Sequence, residues 1–351
     1  MMTVGGGSSS LKVQHEISPL DGIRRRVAGK AEVVYARGYV GDDGGEYNGV
    51  VTGQNLKETR SAAELKAEAV KVASEADCVI FIGGLNKSGG QDCEDTDRKD
   101  LSLPYGQDEL IEALAEANGN LIVVNISGNA VAMPWAGKVA AIVQGWYLGS
   151  EAGTSLAAVL MGDVNPSGKL PFTFPARLED VPAHSLGQYS AVRSKDVTKI
   201  RYNEGIFVGS RWTDRQKKVQ PLFSFGHGLS YTTFEYGKPV ADKREMKAGE
   251  QITVTVPVKN TGNREGKEVV QLYIRDKKST VERPVKELKG FCKVSLKPGE
   301  EKEVSFTIDR SALSYFDAGS HQWVAEPGAF EAIVAASATD IRGRVEFKLT
   351  E

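Results

Sequence analysis

The chain is poor in the residues that build metal sites and disulfide frameworks. Its 351 residues contain three cysteines and four histidines. Cys78, Cys93 and Cys292 follow no repeated spacing, which excludes a disulfide scaffold and a zinc module. His15, His184, His227 and His321 lie far apart in sequence, so no histidine-based metal site is expected. Cys93 has no histidine near it to activate a thiol nucleophile. Cys78 opens an apolar run and reads as a small core residue. Charge of one sign is also lacking. A formal net charge of −2 leaves no basic field for nucleic acid or an anionic membrane. No apolar run approaches the ~20 residues needed to span a bilayer. The N-terminus lacks a charged segment followed by an apolar one, so no secretory signal is expected. No G-x-G-x-x-G follows a visible strand, which argues against a dinucleotide site. Nothing in the pattern calls for a metal or an organic cofactor.

What is present begins with one loop. Gln91-Asp92-Cys93-Glu94-Asp95-Thr96-Asp97-Arg98 gathers acids beside one arginine, directly after the apolar run Val79-Ile80-Phe81-Ile82. In α/β sheets the crevice past the carboxyl ends of the strands is where ligands bind. Carboxylates presented there in a glycine-rich loop (Gly83, Gly84, Gly89, Gly90) suit acid/base chemistry. A charge run is also the signature of a solvated loop.

Two periods divide the chain. In the first part strands and helices alternate. Val33-Val34-Tyr35 reads as a strand. Ser61-Ala62-Ala63-Glu64 has the capping-box form, with Leu65, Ala69, Val72 and Ala73 at helical spacing behind it. Residues 78–82 have the continuous apolar pattern of a strand covered on both faces. A helix is expected over 107–118, with Leu110, Ile111 and Leu114 inward. Strands follow at 121–124 and 141–143, then a helix over 151–161. This alternation predicts parallel βαβ units. Near Asn165-Pro166-Ser167-Gly168 the pattern stops. Beyond Tyr231 the period becomes two: Ile252, Val254, Val256 and Val258 alternate with polar residues, as do Val304, Phe306 and Ile308. Phe330 to Val334 reads as a late strand. Asn260-Thr261-Gly262-Asn263 and Lys297-Pro298-Gly299-Glu300 are turn signals. Several short alternating strands predict an immunoglobulin-type β-sandwich. The expected organisation is an α/β domain over residues 1–175, an irregular linker over 176–231 and an all-β sandwich over 232–351. Gly5 to Ser10 reads either as a flexible Gly/Ser linker or as a strand-to-helix loop.

Five segments, in order, resemble glycoside hydrolase family 3, the β-glucosidase and β-xylosidase family. Leu101-Ser102-Leu103-Pro104-Tyr105-Gly106-Gln107 is similar to its L-x-L-P-x-x-Q. Trp146-Tyr147-Leu148-Gly149-Ser150-Glu151-Ala152-Gly153 is similar to W-Y-x-G-x-E-x-G. Residues 165–171 resemble N-P-S-G-R-L-P, residues 202–209 resemble Y-x-E-G-I-x-V-G, and residues 225–231 resemble F-G-x-G-L-S-Y. The opening Gly/Ser run also resembles the family's loop, which favours the loop reading.

The resemblance implies the C-terminal portion of such an enzyme. The fold would be an α/β sandwich, a mostly parallel sheet between helices with its first strand missing, followed by a fibronectin type III-like sandwich. The N-terminal TIM-like barrel that carries the nucleophilic aspartate would lie outside the chain. The reaction implied is retaining hydrolysis of terminal β-linked glucose or xylose from an oligosaccharide or aryl glycoside, with no cofactor. Cys93-Glu94-Asp95-Thr96-Asp97-Arg98 fits the family's S-G-E-G-x-D-R-type loop, which places the general acid/base at Glu94. Asp95 stands where the family has glycine, and its charge would raise the Glu94 pKa. Asp97 and Arg98 would pair with each other or with neighbours and fix the loop. Trp146 and Tyr147 would line a sugar subsite or pack in the core. Ser8 to Ser10 would meet a ligand or cap a helix. Glu204, Trp135, Trp212 and Trp323 read as structural. The chain alone would be inactive, and its exposed barrel-facing surface and open sheet position would favour self-association. The alternative is a non-catalytic carbohydrate-binding or assembly module that docks to a separately encoded barrel. Family members are often periplasmic or secreted; this chain carries no address of its own.

Overall fold

The structure, a computed structural model, describes residues 8, 13–41, 46–47, 50–51, 58–94, 97–189, 192–194, 197–216 and 218–351. Two compact units divide the chain at Val164 and Asn165. Asp95, Ser9, Ser10 and the run Gly5-Gly6-Gly7 fall outside the described residues.

In the first unit, α1 (Pro19–Val27) starts where Ser18 accepts from the Asp21 amide and Pro19 occupies the first turn. Helix α2 (Ala62–Glu75) has the expected capping box between Ser61 and Glu64, and it buries Leu65, Ala69 and Ala73. Strands β1 (Val79–Gly84), β2 (Leu121–Ile126) and β3 (Ala141–Gln144) form a parallel sheet with β2 in the middle. Helix α3 (Gln107–Ala117) crosses over from β1 to β2, and α4 (Ala152–Leu160) follows β3. Leu121, Val123 and Val124 of β2 are fully buried, as a central strand under helices requires. Helix α2 packs on α3, and α1 packs on α4. At the second crossing the backbones touch. The Gly153 amide donates to Ile17 O at 2.9 Å, and a Cβ on Gly153 would sit 2.0 Å from Ser18 O.

Three expectations fail here. Val33-Val34-Tyr35 forms no strand: no described strand runs beside it, and Val34 and Tyr35 are exposed. Cys78 is exposed rather than buried, because β1 begins only at Val79. The apolar run is also covered unevenly, with Val79, Ile80 and Ile82 half-buried.

In the second unit the period-two reading holds. Strands β4 (Phe234–Tyr236), β5 (Val240–Ala241), β6 (Glu245–Met246), β7 (Ile252–Asn260), β8 (Gly266–Asp276), β9 (Glu287–Leu296), β10 (Glu301–Ile308), β11 (Tyr315–Asp317), β12 (Gln322–Val324), β13 (Gly328–Ala335) and β14 (Ile341–Leu349) follow in order. One sheet runs β6-β14-β13-β8-β9. The other runs β10-β7, with β4 and β5 both on the far side of β7. Ile252, Val254, Val256 and Val258 are fully buried against Ile308, Phe330 and Leu296 in one core. Asn260 closes the end of β7. Its buried amide accepts from Thr232 Oγ1 (2.7 Å) and the Gly262 amide (3.0 Å), and donates to Arg264 O and Leu296 O.

The segments 165–171 and 225–231 form one seam. The Leu170 amide donates to His227 O and the Gly226 amide donates to Leu170 O, both at 2.8 Å. Asn165 Oδ1 accepts from Ser230 Oγ and the Tyr231 amide. Lys169 reaches Gly228 O at 2.9 Å and the buried Glu268 at 3.1 Å. Gln271, also buried, donates to Gly226 O and Ala336 O. Gly226 has φ +78°, and a Cβ there would lie 2.4 Å from Gln271 Oε1.

The segment 202–209 is less packed than its sequence suggests. Phe207 is buried beneath the Arg215 guanidinium, while Ile206 and Val208 are exposed because Gly205 and Gly209, both at positive φ, turn the chain outward. Trp135 and Trp212 are buried, but Trp323 is 69% exposed. It lies on the solvent face of the β11–β12 hairpin, edge-on to Phe316. No described helix is long and apolar enough to cross a membrane.

Candidate active site

The acid loop leaves the C-terminal end of β1, where Gly83 and Gly84 let a side chain approach the backbone closely. Gln107, fully buried at the start of α3, accepts from the Gly84 amide at 2.7 Å and donates to Gly84 O at 2.8 Å. The Leu85 amide then donates to Ile126 O, which ties the strand end to β2. Beyond it the chain folds back on itself. The Asn86 amide donates to Gln91 Oε1, Asn86 O accepts from the Asp92 amide, and the Tyr105 hydroxyl accepts from both Asn86 Nδ2 and Gln91 Nε2.

Asp92 anchors the loop. It is 8% exposed, and its carboxylate takes three donors at 2.6 Å each: the Gly128 amide, Asn129 Nδ2 and the Tyr147 hydroxyl. Burial and the adjacent Asp92 charge push the Tyr147 phenol far above its ordinary range, so it stays a neutral donor. Tyr147 is therefore held through its hydroxyl. Trp146 beside it is half-buried with φ 53°, a left-handed conformation that turns the chain ahead of α4.

Two residues after Asp92, Glu94 is exposed. Ser8 meets it across 86 residues of sequence: its amide donates to Glu94 Oε2 at 2.6 Å, and its hydroxyl donates to the same oxygen. The Ser8 hydroxyl first and its amide second hold the Glu94 carboxyl below the usual carboxylate range. This is opposite to the direction expected from a neighbouring acid, because hydrogen bonds to the charged form favour it. It also gives Ser8 a role other than a helix cap. Arg98 does not bond Asp97, which is exposed. It donates to Ala130 O at 2.7 Å and points toward Ser102 O at 3.4 Å, which fastens the far end of the loop to the turn after β2.

Thus Asp92, Tyr147 and Arg98 hold the loop on which Glu94 stands exposed against Ser8, and the charge-run pattern concealed the buried role of Asp92. Gln107 was visible only as one letter of a motif. Among the described residues no three histidine, cysteine, aspartate or glutamate side chains gather as a metal site would.

The sequence model of the glycosyl hydrolase family 3 C-terminal domain matches residues 1–231. The chain belongs to glycoside hydrolase family 3. A fibronectin type III-like domain is matched over residues 268–338, inside the β-sandwich. The family 3 chain is 52% identical over 347 residues to the β-glucosidase BoGH3A of Bacteroides ovatus, covering 99% of this chain and 45% of that protein. It is 40% identical over 337 residues to thermostable β-glucosidase B of Acetivibrio thermocellus, covering 96% and 42%. The chain therefore spans less than half the length of these relatives. Among solved structures, a family 3 β-glucosidase of Bifidobacterium adolescentis superposes with a TM-score of 0.82 at 34% identity, covering 96% of this chain and 46% of that one. β-Glucosidase 3B of Thermotoga neapolitana gives 0.80 at 30% identity, covering 100% and 48%.

Proposed function

We propose that this chain supplies the general acid/base, Glu94, of a retaining β-glycosidase of the β-glucosidase type. The substrate would be terminal β-linked glucose or xylose on an oligosaccharide or aryl glycoside. The observation that carries the reading is the exposed Glu94 carboxylate, oriented by Ser8, on a loop whose neighbours Asp92 and Arg98 are fastened to the turn after β2. The names of the relatives support the reaction class. Retaining hydrolysis needs a second carboxylate ~5–5.5 Å away as nucleophile. In this reading it comes from a TIM-like barrel outside residues 1–351. Its charge would raise the Glu94 pKa toward that of a general acid, against the pull of Ser8. Asp97 and Asp95 would shape the field at the loop, and Trp146 and Tyr147 would border the sugar.

The test is hydrolysis of aryl β-glucoside and β-xyloside by the purified chain and by Glu94→Gln, each alone and with the barrel half of a family 3 relative added. Neither is expected to hydrolyse alone. The barrel should restore activity to the native chain, with Glu94→Gln lower by about 10²–10⁴-fold. Activity of the native chain by itself would place the nucleophile within it, and equal restored rates would remove Glu94 from the chemistry. Without a barrel the chain is expected to self-associate through exposed apolar surface. A monomer by light scattering at all concentrations would refute that.

A further inference from the structure

The contact between Ser8 and Glu94 carries one step more, resting on the acid/base reading of Glu94. We infer that Ser8 is a positioning residue that pins the carboxylate by Oε2 and leaves Oε1 as the atom that exchanges the proton with the glycosidic oxygen. An exposed glutamate ordinarily samples many rotamers. Here two donors from one residue converge on one oxygen, and among the described residues no other donor reaches the carboxylate. The two donors differ in kind. The amide only donates, whereas the hydroxyl donates or accepts. Oε2 therefore stays an acceptor in both protonation states, and the proton resides on Oε1.

Retaining hydrolysis needs both states in turn. As the glycosidic C–O bond breaks, Oε1 gives its proton to the leaving oxygen and Glu94 becomes the carboxylate. As water attacks the glycosyl intermediate, Oε1 takes a proton from that water. Ser8 transfers nothing. It keeps the same oxygen aimed at the reacting bond through both steps.

The experiment is a ¹³C NMR titration of the Glu94 side-chain carboxyl in the full chain, with Glu94→Gln identifying the signal. Ser8→Ala should titrate at higher pH than the native chain, and Ser8→Thr, which keeps the hydroxyl, should restore the native midpoint. In the native chain the Ser8 amide proton should shift with the same midpoint, and that shift should vanish in Glu94→Gln. An unchanged midpoint in Ser8→Ala, or a Ser8 amide indifferent to the titration, would overturn the assignment. These readouts need no barrel. Failure of the acid/base reading would show separately, as equal barrel-restored rates for the native chain and Glu94→Gln.

Discussion

Replacing Asp92 tests whether the acid loop is held by an acceptor or by a charge. Asp92→Ala leaves three donors without their partner: the Gly128 amide, Asn129 Nδ2 and the Tyr147 hydroxyl. A buried donor left unsatisfied costs about 1–3 kcal/mol. Asn129 is exposed and can turn to water, so its share is small. Gly128 and Tyr147 are half-buried and cannot fully do so. The expected loss is therefore about 2–4 kcal/mol. Asp92→Asn keeps a carbonyl oxygen for Gly128 and Tyr147, both of which use Oδ2. Its new amide faces Asn129, which can flip to present oxygen. That variant should lose only about 1 kcal/mol, and so should Tyr147→Phe, which removes one bond of the three. Amide exchange in β2 would report opening of the first unit, and the Gly128 amide would report the loop. The reasoning fails if Asp92→Asn is as damaging as Asp92→Ala, or if Asp92→Ala stays within ~0.5 kcal/mol of native, the range of ordinary surface changes.

Two further outcomes are expected. Gly153→Ala places a methyl 2.0 Å from Ser18 O, a backbone atom that cannot move alone, and should cost about 3 kcal/mol in thermal unfolding. Gly137→Ala, with nothing within 4 Å, is the control, and equal melting of both variants would refute the close crossing of α1 and α4. In the second unit, burial and then Lys169 hold His227 below its ordinary value of 6.5. The unfolded chain then binds a proton that the folded chain resists, so stability should be full above that value and fall as pH drops through it. His227→Gln should flatten this dependence, and a native stability curve already flat from pH 7 downward to 5.5 would contradict it, each measured by urea denaturation at about half-unit pH steps.

Features set by neighbours in sequence were legible. Ser61 and Glu64 cap α2 within one turn, and the alternation of Ile252, Val254, Val256 and Val258 follows from the pleat of one strand. Features set by topology were not. Ser8 and Glu94 meet across 86 residues of sequence, and no local pattern encodes such a contact. Asp92 looks like its acidic neighbours until the turn after β2 arrives to bury it. Val33-Val34-Tyr35 has strand-forming residues, but composition supplies no partner, and a strand exists only through its ladder. Trp323 shows the converse: a large aromatic suggests packing, yet it faces water on a two-stranded hairpin.

The seam of residues 165–171 and 225–231 determines where this polypeptide can be cut. A fragment beginning at residue 232 would look like a complete sandwich by its strands. It would nonetheless strand Glu268 without the ammonium of Lys169 and Gln271 without the Gly226 carbonyl, both in buried positions. An uncompensated buried charge is among the costlier defects a small domain can carry. A fragment beginning at Asn165 keeps every one of these partners, so anyone dissecting the protein for expression or crystallisation should place the boundary there.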